Sequence, residues 1–93
     1  MKAVLVYRFE HDFDDGAMVR MVIWKVSSPV PTSSHPHKYR MVYLENGKRV
    51  IGFDNERGKG DHRHEGEREY SYTFRDVATL IRDFIDAVKH RRS

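Results

Sequence analysis

Up to about Phe74 the chain is laid out in short apolar runs separated by polar turns; beyond it, apolar residues recur every three to four positions. The first part reads as β-hairpins and the second as one amphipathic helix. Lys2 to Phe9 is β-branched and aromatic, His11 to Gly16 is a polar turn containing Asp14 and Asp15, and Met18 to Val26 is again β-rich, which predicts a first hairpin. Ser27 to Pro36 contains all three prolines and four serines, so it predicts an irregular crossover loop. Tyr39 to Glu45 and Lys48 to Asp54 then flank Asn46-Gly47, the strongest two-residue hairpin signal. A regular register from that turn pairs Glu45 with Lys48, Tyr43 with Val50, Met41 with Gly52 and Tyr39 with Asp54. It leaves Val42, Leu44, Ile51 and Phe53 on the face expected to meet the core.

Asn55 to Glu69 is glycine-punctuated and almost wholly polar, and is expected to be a loop; Tyr70, Tyr72 and Phe74 alternate as a last short strand. The helix is predicted from Arg75 to Lys89, with Thr73 as N-cap, Asp76 completing the capping box, and Val77, Leu80, Ile81, Phe84, Ile85 and Val88 forming its apolar stripe. Lys89, Arg91 and Arg92 are expected to form a frayed basic tail. The fold class is α+β: an antiparallel sheet of about five strands packed by one C-terminal helix, in a single domain spanning residues 1–93.

Composition narrows the functional classes. Seventeen Lys and Arg against fourteen Asp and Glu give a net charge of only +3, below the basic density of a dedicated duplex-DNA binder. Cysteine is absent, which removes disulfides and thiolate metal sites. The N-terminal apolar run is too short for a signal-peptide core or a membrane span, so cytoplasmic residence without a membrane partner is expected. An open sheet has two unpaired borders, and these offer a route to a homodimer.

The second hairpin also gathers chemistry. His35 to Lys38 and Asn55 to His64 both lie at its open end, opposite the Asn46-Gly47 turn, so the register predicts one cationic, histidine-rich edge site. Metal-independent cleavage of an RNA phosphodiester needs one group to take the 2′-hydroxyl proton, another to protonate the leaving oxygen, and cations to stabilise the phosphorane. His62 and His64 fit the proton-transfer roles, Lys59, Arg40 and Arg63 fit the electrostatic ones, and Asp54 is placed to orient a histidine. A solvated loop kept soluble by the same residues is the competing reading, and for Asn55 tethering of that loop is the simpler role. His62-x-His64 and His35-x-His37 could instead chelate one metal ion, although Pro36 and Arg63 intervene and no thiolate supports them; no cofactor is therefore expected.

The stretch from Lys38 to Asn55, with Gly58 to His64 and Tyr72 to Phe84, resembles the small prokaryotic TumE-like toxin components of toxin-antitoxin pairs. Its most specific parts are Tyr39-Arg40, Phe53-Asp54-Asn55 and His62-Arg63-His64, and it covers over half the chain. The resemblance implies a growth-inhibiting protein acting on RNA and neutralised by an antitoxin that carries a helix-turn-helix domain. It carries onto Tyr39, Arg40, Asp54, Asn55, Lys59, His62 and His64. The functional expectation is a ribonuclease with His62, His64, Lys59, Arg40 and Asp54 as catalytic residues and Lys38, Tyr39, Asn55, Arg57 and Arg63 contacting RNA. The alternative is a non-catalytic module that binds nucleic acid or protein through its basic, His-rich edge.

Overall fold

The computed structural model describes residues 2–29, 34–55 and 60–93. The elements run β1 (Ala3–Asp12), β2 (Met18–Val26), β3 (His37–Glu45), β4 (Lys48–Asp54), β5 (His62–Glu65), β6 (Arg68–Ser71) and α1 (Val77–Arg92). The strands form one antiparallel sheet in sequence order, β1 to β6, with the helix on one face. The α+β class is as the patterning predicts, with six strands among the described residues in place of about five.

The additional strand comes from the segment read as a loop. His62 and His64 are the buried positions of β5, on the face opposite the helix, so the two-residue period is present but written in polar residues. Gly66, at φ 60°, takes the first position of the two-residue turn into β6, where a positive φ favours glycine.

The central hairpin turns at Asn46 and Gly47, both with positive φ (53° and 77°), as a type I′ turn requires. Its register departs from the regular one after two pairs. Glu45 faces Lys48 and Leu44 faces Arg49, but Tyr43 then faces Ile51, leaving Val50 as a β-bulge. The Val50 carbonyl accepts from the Gly66 amide at 2.8 Å, outside the β3 ladder. From that point the partners are Met41 with Phe53 and Arg40 with Asp54. The core face of β3 is consequently Tyr39, Met41 and Tyr43, rather than Val42 and Leu44, whereas Ile51 and Phe53 are buried as expected.

Val19, Met21 and Ile23 of β2 continue this face, and Leu80, Phe84 and Val88 of α1, spaced by four residues, complete the core with it. Phe84 meets the ring of Phe53 edge-on, with centroids 5.5 Å apart. The helix starts later than predicted because Asp76, not Thr73, is its N-cap: the Asp76 carboxylate accepts from the Thr79 amide at 2.7 Å. Its basic end is not frayed. Arg91 pairs with Glu45 at 2.8 Å, and Arg92 donates to the Tyr43 hydroxyl, pairs with Asp15 and lies over the Phe13 ring. Among the described residues, no helix is long and apolar enough to cross a membrane.

Candidate functional site

Strand alternation decides which polar residues meet. Past the bulge, Arg40, Asp54 and His62 line up across β3, β4 and β5, and Gly52 and His64 form the next row, all on the face opposite the helix. Asp54 and the two histidines are 5%, 4% and 8% exposed, so these ionisable groups are held largely away from water.

The Asp54 carboxylate is the centre of the group. His62 Nε2 lies 2.9 Å from Asp54 Oδ1, and His64 Nε2 lies 3.8 Å from Oδ2. The imidazole rings meet edge to face with centroids 4.7 Å apart. Each ring also has an oxygen near its other nitrogen: His62 Nδ1 is 3.0 Å from the Gly60 carbonyl, and His64 Nδ1 is 3.7 Å from Glu69 Oε2. Because His62 presents both nitrogens to oxygen acceptors, one tautomer's single N–H cannot satisfy both contacts. A second proton, or a cation between Nε2 and Asp54, does so.

Burial, reinforced by the Arg49 guanidinium and by His62, holds the His64 imidazole below its ordinary pKa of 6.5 and favours its neutral form near pH 7. Arg49 lies along this face because Gly52 has no side chain: a β-carbon there would come within 2.9 Å of Arg49 Cδ. Ligand atoms of Asp54, His62 and His64 all lie within 4.8 Å of one another, so these three residues could also hold a metal ion.

The remaining predicted residues are distributed differently. Lys38 is exposed, opposite Trp24 on the same open face as Arg40. Tyr39 points into the core side, 2% exposed, and its hydroxyl donates to Asp61 at 2.8 Å. Asn55 is fully buried, accepting from the Tyr39 amide at 3.0 Å and donating to the His37 carbonyl at 2.7 Å, so its amide extends the β3 ladder past the end of β4. Arg63 faces the other way from its neighbouring histidines, with its guanidinium 5.3 Å from the Phe53 ring centroid and bonded to Glu65. Arg57 and Lys59 lie outside the described residues.

The two His-x-His pairs do not converge. His35 stacks on Phe74 at 3.7 Å, with His37 beside the same ring, and His35 Nε2 faces Asp61 at 2.8 Å. Asp61, Glu69 and Arg49 were not singled out in the sequence, because each enters only through the pairing of β4, β5 and β6. Alongside the cluster, Arg8, Arg20, Arg40 and Trp24 line a groove on the open face of β1 to β3.

No curated protein and no solved structure shows a significant match to the chain. A family model described as Toxin TumE matches residues 2–92, which include every strand, the helix and the Asp54, His62 and His64 cluster, and the chain therefore belongs to the TumE toxin family.

Proposed function

We propose that this toxin cleaves cellular RNA by acid–base chemistry at the cluster of Arg40, Asp54, His62 and His64. The observation that carries the reading is the convergence of both histidine Nε2 atoms on one buried carboxylate beside a cross-strand arginine. Two imidazoles held in unlike surroundings are suited to opposite proton-transfer roles. Neutral His64 takes the proton of the 2′-hydroxyl as that oxygen attacks phosphorus. His62, oriented by Asp54 and the Gly60 carbonyl, delivers a proton to the departing 5′-oxygen. The products are a 2′,3′-cyclic phosphate and a free 5′-hydroxyl, and the site resets when His64 releases the proton it took and His62 takes one up from solvent. Arg40 stabilises the charge on the phosphorane, and Lys59 is assigned the same task from the sequence alone. Lys38 and the arginines of the open face bind the flanking phosphates. A helix-turn-helix antitoxin is the neutralising partner, and the cytoplasm is the place of action.

A second reading is favoured by the 4.8 Å clustering of the same ligand atoms. Asp54, His62 and His64 would hold a divalent transition metal, which would supply Lewis-acid activation to phosphodiester hydrolysis.

Growth and RNA integrity after induced expression test the proposal, with wild type compared at matched protein levels with His62→Ala, His64→Ala, Arg40→Ala and Lys59→Ala. Growth arrest with RNA fragmentation is expected for the wild type, and loss of either histidine is expected to reduce cleavage about 10²–10⁴-fold. Purified protein that cleaves RNA equally well with and without a chelator selects the acid–base route; cleavage abolished by chelator and restored by metal selects the second. Intact RNA and unimpaired growth with soluble wild-type protein would overturn both and leave a non-catalytic binding module.

A further inference from the structure

The two borders of the sheet are built differently. β6 is four residues long, Arg68–Ser71, with charged residues along it, which is how natural sheets blunt an edge. β1 is ten residues long and, among the described residues, pairs only with β2. It exposes Val4 at 65%, Leu5 at 47%, Val6 at 43% and Phe9 at 41%, more apolar surface than an edge strand facing water ordinarily presents. A bulge between Leu5 and Tyr7 interrupts its first half and leaves Tyr7 to Asp12 in regular pairing with β2, with their outer border facing no other strand among the described residues.

We propose that β1 pairs antiparallel with β1 of a second copy of this chain about a two-fold axis at Phe9. The charges select this register. Centred on Phe9, Arg8 of each copy faces Glu10 of the other, turning the Arg8–Glu10 pair seen within one chain at 2.9 Å into a four-charge cluster. Centring on Arg8 or on Glu10 instead sets like charges directly opposite each other.

The backbone agrees. Phe13 donates to the Ala17 carbonyl at 2.8 Å, which marks that pair as hydrogen-bonded. Stepping back by two along β1 turns the amides of His11 and Phe9 toward β2 and those of Arg8, Glu10 and Asp12 toward the free border. The Arg8–Glu10 pairs thus become the hydrogen-bonded ones, and the two Phe9 residues meet in the closer, non-hydrogen-bonded arrangement. Phe9 borders an apolar groove of about 500 Å³ lined also by Phe13, Val19, Ile85 and Val88, which receives the second phenylalanine. A two-fold normal to the sheet keeps both helices on one side and joins the two open faces into one continuous surface of twelve strands.

A charge-swap cycle on the full-length protein tests this, read by sedimentation across a wide concentration range. Wild type is expected to sediment as a dimer, Arg8→Glu and Glu10→Arg each as monomers, and the double swap as a dimer again. Phe9→Cys is expected to cross-link on oxidation, because non-hydrogen-bonded partners lie within disulfide reach, whereas Val4→Cys is not. Circular dichroism checks that each variant is folded. A wild-type monomer at every concentration, or a dimer that neither single swap dissociates, overturns the proposal. Neither outcome depends on whether the chain cleaves RNA.

Discussion

Two side chains outside the proposed chemistry hold its scaffold in place. Asp61, one residue before His62, accepts from the Tyr39 hydroxyl and faces His35, joining the start of β3 to the start of β5. Tyr39 is buried, and burial together with this bond to Asp61 pushes its phenol far above the ordinary value of 10. A folded-state pKa raised in this way contributes stability that is full below about pH 10, where the unfolded chain also keeps its proton, and is lost as pH rises further. Tyr72, bonded to Asp83 of the helix, is raised for the same reasons and acts in the same direction. Urea unfolding at pH 8 and pH 11 is expected to show a marked loss of stability at the higher pH. Tyr39→Phe is expected to cost about 1 kcal/mol at pH 8, the worth of one hydrogen bond, and to reduce the alkaline loss. An unchanged alkaline loss in that variant would mean that Tyr39 does not stay protonated in the folded protein.

Helix α1 is held by the layer of Leu80, Phe84 and Val88 and by polar contacts of Asp83 with Tyr72 and of Arg91, in its last turn, with Glu45. Phe84, fully buried against Phe53, sits below the strand whose last residue is Asp54. Removing its ring leaves a cavity under β4, so Phe84→Ala is expected to lower unfolding free energy by about 3–5 kcal/mol. Lys89→Ala, at an exposed position of the same helix, is expected to stay within about 0.5 kcal/mol of wild type. Denaturant midpoints measured on both variants decide whether this packing layer is the principal attachment of the helix.

At the level of the whole molecule, the sheet separates two jobs. One face buries the core under the helix, and the other spreads Arg8, Arg20, Arg40 and Trp24 beside the buried acid–histidine group. A net charge of +3 is too small to attract a polyanion by itself, so the placement of cations on one face must carry any attraction to RNA. If single-stranded RNA crosses this face, Arg40→Ala is expected to flatten the slope of log affinity against log salt by about 0.7, the value for one lost phosphate contact. A slope unchanged from wild type would place the RNA elsewhere.

Much of this fold is legible in residue order because its causes are local. The Asn46-Gly47 turn demands a hairpin, period-two apolar runs demand strands, and the Val77 to Val88 stripe demands a helix against a sheet. The TumE resemblance likewise rests on contiguous residues. Asp54, His62 and His64 were legible as candidates from their chemistry and their position near one end of the hairpin. Other features depend on contacts between distant segments. Val50 bulges out of β4, which exchanges Tyr39 for Arg40 on the face of Asp54 and sends Tyr39, Met41 and Tyr43 into the core. The polar run after Gly60 becomes two strands because β4 offers it an unpaired edge. Arg91 and Arg92 are fixed because Glu45 and Asp15 arrive beside them from two separate turns. Propensity and periodicity act between near neighbours and so decided the elements. Strand register and the facing of side chains are set by pairing across the sheet, and only the tertiary structure could decide them.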